Sequence, residues 1–250
     1  MEQIPSSGQE KDYNLNEISK SEENRHSRIG TIFLLFFLLV IWPLSSYLLM
    51  SESGQGSGLS AAGKDELKVA TQIYIPTILI QLLVFLLIFL IILREKDNLS
   101  SIGLKGFNFN NLLIGIIFWV VISSFLLALS LFLQFNKLFT PPEVTYLLPQ
   151  TRIQKILWVI MASSASLSEE SAFRGFVLTR LNFYLKNWWF TILIASLSFS
   201  LGHLYQGVIG MIFAGIYGVA FSLLFLWRKS LTPCIIAHFL QDITPLFAPI

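Results

Sequence analysis

"ATQIYIPTILIQLLVFLLIFLIIL", Ala70 to Leu93, runs without a single Asp, Glu, Lys or Arg. A bilayer core about 30 Å thick takes roughly 20 apolar residues of α-helix at 1.5 Å each, so this stretch spans unaided. "GTIFLLFFLLVIWPLSSYLLM" before it, Gly30 to Met50, and "NLLIGIIFWVVISSFLLALSLFLQF" after it, from Asn111, are of the same kind. Three later apolar runs, from about Ile153, from Asn187 to Tyr205 and from Gly207 to Trp227, are interrupted by polar residues, and "LTPCIIAHFLQDITPLFAPI" closes the chain. The composition agrees: of 250 residues 54% are hydrophobic and 13% charged, with a mean hydropathy of +0.67. That apolar share is above, and the charged share below, what soluble domains carry. The expected fold is all-α, a multi-pass transmembrane helical bundle of about seven spans.

Residues 1–29 are polar and mixed in charge, unable to bury enough apolar surface to offset chain entropy, and are expected to form a disordered tail. So long a polar lead before a run of spanning length points to a retained signal anchor. Residues 30–142 hold three generic spans with no evident chemistry, in which Pro43 and Pro76 are expected to bend their helices. The Gly- and Ser-rich "SESGQGSGLSAAG" reads as a flexible loop. "TPPEV", Thr140 to Val144, ends the front half, and 143–250 forms the functional core. Cys234, the single cysteine, excludes an intrachain disulfide framework and any Cys-rich metal site. With the N-terminus in the cytoplasm, most Lys and Arg fall in inner loops, following the positive-inside tendency. A net charge of +2, with the basic residues scattered over loops, gives no stripe for nucleic acid.

The back half concentrates its ionisable groups. "SLSEESAFRGF", Ser166 to Phe176, sets Glu169, Glu170 and Arg174 beside an apolar run, while His203, His238 and Asp242 lie in later apolar segments. Such groups cost roughly 2.5 to 3.5 kcal/mol each at membrane depth and by default face a bundle interior or a wet cavity. Glu170 and Arg174, four apart, share a helix face and can pair; Glu169 lies about 100° round the helix. The pairing would leave Glu169 to take up and return a proton, the requirement of a general base. The alternative on this stretch alone is a structural polar knot between helices. "FSLGH" puts Phe199 one turn from His203, where an aromatic ring can wall a pocket, and "HFLQD" puts Asp242 one turn from His238, where a carboxylate can fix the ring tautomer. Gly210, Ala214, Gly218 and Ser222 form a small-residue ridge for close helix packing, and "NWW" at 187–189 an interfacial anchor.

"EESAFR", "FSLGH" and "HFLQD" match, in order, the EExxxR, FxxxH and HxxxN/D motifs of the CAAX prenyl protease and bacteriocin-processing family of intramembrane proteases (CPBP, or Abi). The chain resembles that family from about Trp158 to Thr244. The resemblance implies an endopeptidase with an intramembrane cavity: Glu169 would activate water, Glu170 and Arg174 would support the site, and His203 would hold or polarise the water. His238 and Asp242 would stand where the oxyanion develops. Asp242 departs from the usual Asn, and an ionised Asp cannot donate, so it would orient His238 or stay protonated. No cofactor is expected; the alternative is Zn2+ on Glu169, His203 and His238, a set with an open water position, though no HExxH helix is present. The implied partners are membrane lipid and a membrane-associated peptide or prenylated protein substrate, in a prokaryotic inner membrane. Two other readings are a non-catalytic relative acting in bacteriocin immunity or as a chaperone, and a small proton-coupled transporter, which the lack of a visible inverted repeat disfavours. Alternating spans would also place Glu169 near the inner end of its helix and His203 near the outer end of its own.

Overall fold

A computed structural model describes residues 29–53, 66–138 and 148–247. The polar tail up to residue 28, most of the Gly/Ser-rich loop and "TPPEV" lie outside the described residues.

Seven helices and no strand make up the described chain. They are α1 (29–53), α2 (66–94), α3 (Phe109–Phe135), α4 (152–185), α5 (Trp188–Leu201), α6 (Gly207–Arg228) and α7 (Thr232–Ile243). The two prolines expected to bend helices each follow a π turn, Phe37–Ile41 before Pro43 and Ala70–Tyr74 before Pro76. A proline lacks the N–H for its i−4 carbonyl and its ring crowds that carbonyl. Widening the preceding turn to i→i+5 bonding accommodates the ring without breaking the helix.

Helix ends follow local chemistry. Asn108 caps α3 through the amide of Asn111, and Thr151 and Gln154 form a reciprocal capping box at the start of α4, which satisfies donors the first turn would otherwise orphan. Asn187 caps α5 by accepting from the amides of Trp189 and Phe190. Gly103, at φ +85°, ends the 3-10 turn Leu99–Ile102, in the left-handed region that favours glycine.

Three connections meet at one end of the bundle. Arg180 at the end of α4 pairs with Glu95 at 2.6 Å and Asp97 at 3.3 Å. Arg228 donates twice to Asn111 Oδ1, Lys229 lies over the Trp188 ring, and the Leu231 amide donates to Gly103 O. Trp188 of "NWW" thus takes part in the contacts at this end.

Four helical segments, 29–48, 70–94, 109–135 and 204–228, are long and apolar enough to cross a membrane. α5 and α7 are shorter, and α4 is interrupted by its charges, so the expected seven spans resolve into seven helices of unequal length. The outward faces carry exposed Leu79, Ile117, Val121, Leu127 and Phe132, a surface suited to lipid. Inside, Leu34, Leu38, Ile88, Phe176, Leu178, Phe221 and Leu231 are sealed, together with the free thiol of Cys234. The small-residue ridge of α6 packs as expected: a Cβ on Gly218 would stand 3.0 Å from Ser196 Cβ on α5. The chain is an integral membrane protein built as an all-helical bundle.

Candidate active site

Glu169 closes the regular part of α4, and from Glu170 to Val177 the helix is π-helical, with all eight residues buried. π-Helix is rare and occurs mostly as single turns, frequently at functional sites, so a run of eight residues is unusual. This segment touches α1, α2, α5, α6 and the Leu99–Ile102 turn, so it is the hub of the bundle. Gly175 permits that closeness, since a Cβ there would come within 2.9 Å of Ile102 O. The helix does not stop at Glu169, as alternating spans would have it, but runs on to Leu185.

The two adjacent carboxylates diverge. Glu170 is fully buried and its Oε1 receives both Arg174 Nη1, at 3.0 Å, and His238 Nδ1, at 2.7 Å. Arg174 is in turn sandwiched, 4.3 Å from the Phe199 ring centroid and 5.1 Å from that of Phe221. The expected Glu170–Arg174 pair is thus present, and it holds His238 as a third member. A carboxylate between two donors, with aromatic faces against the cation, compensates charges that would otherwise be costly at this depth.

Glu169 faces another way. Its Oε1 accepts from Gln81 Nε2 on α2 at 2.8 Å, and its Oε2, buried and without a hydrogen-bond partner, lies 4.0 Å from His203 Nε2. His203 Nδ1 is 2.8 Å from the carbonyl oxygen of Phe199. A carbonyl only accepts, so that nitrogen carries the proton and, in the neutral ring, Nε2 is bare toward Glu169. Phe199 walls the site: its ring lies 4.5 Å from that of His203, with Arg174 on it as well.

The expected mismatch in depth between Glu169 and His203 does not occur. α5, at 14 residues, is about 21 Å long by its rise and stops short of a full crossing. The chain turns at His203 and starts α6 at Gly207, which leaves His203 at the level of the middle of α4.

Asp242, on the last turn of α7, has Oδ2 3.5 Å from His238 Nε2 and is about a third exposed. Its carbonyl accepts from Trp158 Nε1 of α4 at 2.8 Å. Beside it Gln241 accepts from Tyr217 and Ser123, which pins α7 to α6 and α3. The ring of His238 is oriented chiefly by Glu170, the carboxylate with the shorter contact, rather than by Asp242. Glu170 and Asp242 thus face the two nitrogens of His238. Among the described residues no group of three or more His, Cys, Asp or Glu is placed to hold a metal ion.

Two contributors come from the front half, which shows no chemistry in the sequence. Gln81 sits at mid-span in α2, 4% exposed; its signal is a lone amide between Ile80 and Leu82 in a run of Leu and Ile. Trp42 of α1 packs so closely on the turn before His203 that a Cβ on Gly202 would fall 2.5 Å from its indole nitrogen. Trp42 and Gln81 join Leu38, Ser168, Glu169 and Phe173 around a small cavity beside the carboxylate.

No curated protein and no solved structure matches the chain. The family model described as "Type II CAAX prenyl endopeptidase Rce1-like" matches residues 151–244, a segment that starts at the Thr151 cap of α4 and ends just after α7. The match contains all three motifs, so over residues 151–244 the chain is similar to the Rce1-like members of the CAAX prenyl protease and bacteriocin-processing family.

Proposed function

We propose that the chain is an intramembrane endopeptidase in which Glu169 activates water for attack on a peptide carbonyl of a membrane-associated or lipidated substrate. One observation carries this reading: a buried carboxylate with one oxygen tethered and the other free faces a histidine nitrogen across 4.0 Å. Both groups accept, and a water that donates one hydrogen to each, with contacts near 2.8 Å, fits that separation. Its lone pair then points away from both.

The chemistry follows from those contacts. As the water oxygen bonds to the carbonyl carbon, its proton passes to Glu169, and the C=O electrons move onto oxygen. Collapse of the tetrahedral intermediate breaks the C–N bond, and Glu169 returns the proton to the leaving amine, the acid–base cycle of a single carboxyl group. His203 holds the water, its tautomer set by Phe199 O. His238, held at Nδ1 by Glu170, presents Nε2 near Asp242; a proton on that nitrogen is what a developing oxyanion would receive as a hydrogen bond. The proposed mechanism uses Glu169 and water and routes no step through a metal. We place the protein in a prokaryotic inner membrane with the N-terminus in the cytoplasm.

The test uses the purified protein in liposomes and an internally quenched peptide bearing S-farnesyl cysteine near its C-terminus, beside the same peptide without the lipid. Glu169→Gln and His203→Ala are each expected to lower cleavage by about 10² to 10⁴-fold, the usual contribution of a positioned base. Chelator dialysis is expected to leave the rate unchanged. Cleavage at the wild-type rate in both variants would overturn the assignment.

A further inference from the structure

The family match begins at residue 151, yet the closest hydrogen bond to Glu169 from another helix comes from residue 81 on α2. We propose that Gln81 is a positioning residue for Glu169: its amide ties down one carboxylate oxygen so that the other is aimed at His203. This rests on the reading of Glu169 as the base.

A glutamate side chain carries three rotatable bonds, and confining it costs conformational free energy that something has to offset. Here the constraint is specific. Gln81 Nε2 donates to Oε1 at 2.8 Å; an ionised carboxylate only accepts, so the contact is made by the amide nitrogen. A hydrogen bond to a charged group is stronger than one between neutral groups, enough to select one orientation of the carboxylate plane. With Oε1 occupied, only Oε2 is left for the water, and it is the oxygen 4.0 Å from His203. The amide is 96% buried, on a helix whose neighbours Val84 and Ile88 are apolar core. Without a partner a buried glutamine would be a net cost; here its amide donates to the carboxylate. α2 packs along α4 through its length and reaches the π segment, so the tether is held by a rigid element.

The consequence is a division of labour. The Rce1-like segment supplies the base, the histidines and the Glu170–Arg174 clamp, while the front half supplies the group that sets the base's orientation.

The experiment compares Gln81→Met, close in volume and without a donor, and Gln81→Asn, whose amide is one methylene short, with the wild type in liposomes. The probe is the farnesylated quenched peptide. Both variants are expected to lose about 10 to 100-fold in kcat, with KM within about 2-fold, in samples whose circular dichroism matches the wild type. In a Glu169→Asp background, where the carboxylate no longer reaches, Gln81→Met is expected to cost nothing further. A second readout needs no turnover: labelling of Glu169 by dicyclohexylcarbodiimide, counted by mass spectrometry, is expected to rise several-fold in Gln81→Met as the carboxyl loses its tether. Wild-type kcat and wild-type labelling in Gln81→Met, with Glu169→Gln inactive, would overturn the positioning role and leave the base intact. Wild-type cleavage by Glu169→Gln would instead overturn the base itself.

Discussion

Arg174 is met from three sides, by Glu170 and by the rings of Phe199 and Phe221, and at 1% exposure it has no route to water. Removing it leaves Glu170 buried with His238 alone, and breaking such a pair from one side costs about 3–5 kcal/mol. Arg174→Met is therefore expected to lower the unfolding temperature in detergent markedly. The double change Glu170→Leu with Arg174→Met removes both charges and is expected to recover part of that stability while remaining inactive, because His238 then loses its orienting carboxylate. Calorimetry and peptide cleavage on the same samples separate the two effects. Asp242→Asn is a milder case: the side chain is a third exposed and 3.5 Å from His238, and an amide adds a donor where the oxyanion is proposed to form. Turnover within about 3-fold of wild type or above it is expected, and a fall beyond about 10-fold would show that the carboxylate is needed. At this scale the Glu170–Arg174 pair was legible from its spacing. Gln81 was not, because a single amide in an apolar run looks the same whether it meets a carboxylate or a backbone carbonyl.

The continuity of α4 is what the helical pattern could not convey. The apolar run from Ile153 ends in Ser, Glu and Arg, and polarity reads as the end of a span; in the bundle those residues are interior, and the helix continues as a π segment packed on every side. The pattern reports polarity, and burial in a polar interior reverses its meaning. Short α5 is the complementary case: Trp188–Leu201 looks like the start of a full span that would carry His203 away from Glu169, yet the turn at His203 stops it level with the middle of α4. Gly175 tests the packing that makes this possible. A Cβ there would stand 2.9 Å from Ile102 O and 3.1 Å from Ile102 Cβ, and backbone does not yield as a side-chain tip does. Gly175→Ala is expected to destabilise by about 1–3 kcal/mol, the range for overpacking a tight interior, and to reduce cleavage more than that loss alone explains, since the displaced segment carries Glu170 and Arg174. Gly207→Ala is the control for activity, with open space around the added methyl but a positive φ of +80°. Equal effects of the two changes on turnover would show that packing of the π segment does not matter to the site.

The whole bundle has two ends with different charge. Contacts of Arg180 with Glu95, of Arg228 with Asn111 and of Lys229 with Trp188 bring the α2–α3, α4–α5 and α6–α7 connections to one end, where Arg94, Lys96, Lys105, Arg180, Lys186, Arg228 and Lys229 gather. The starts of α2 and α4 and the end of α3, with Lys68, Lys137, Arg152 and Lys155, belong to the other. Short basic loops are retained in the cytoplasm, so the richer end is expected to face inward, in agreement with the orientation read from the loops. Cys234 makes the test direct: the only thiol in the chain is fully buried, so a cysteine introduced at the surface reports alone. Lys105→Cys, Lys186→Cys and Lys229→Cys are expected to resist a membrane-impermeant maleimide in intact cells and to react after lysis, whereas Lys137→Cys and Lys155→Cys react in both. The reverse pattern would invert the topology. Because Asp242 and the His203 turn lie toward the end opposite the basic one, it would also move the mouth of the proposed site to the cytoplasmic side, and a substrate tethered on the wrong face of the liposome would then be the one that is cut.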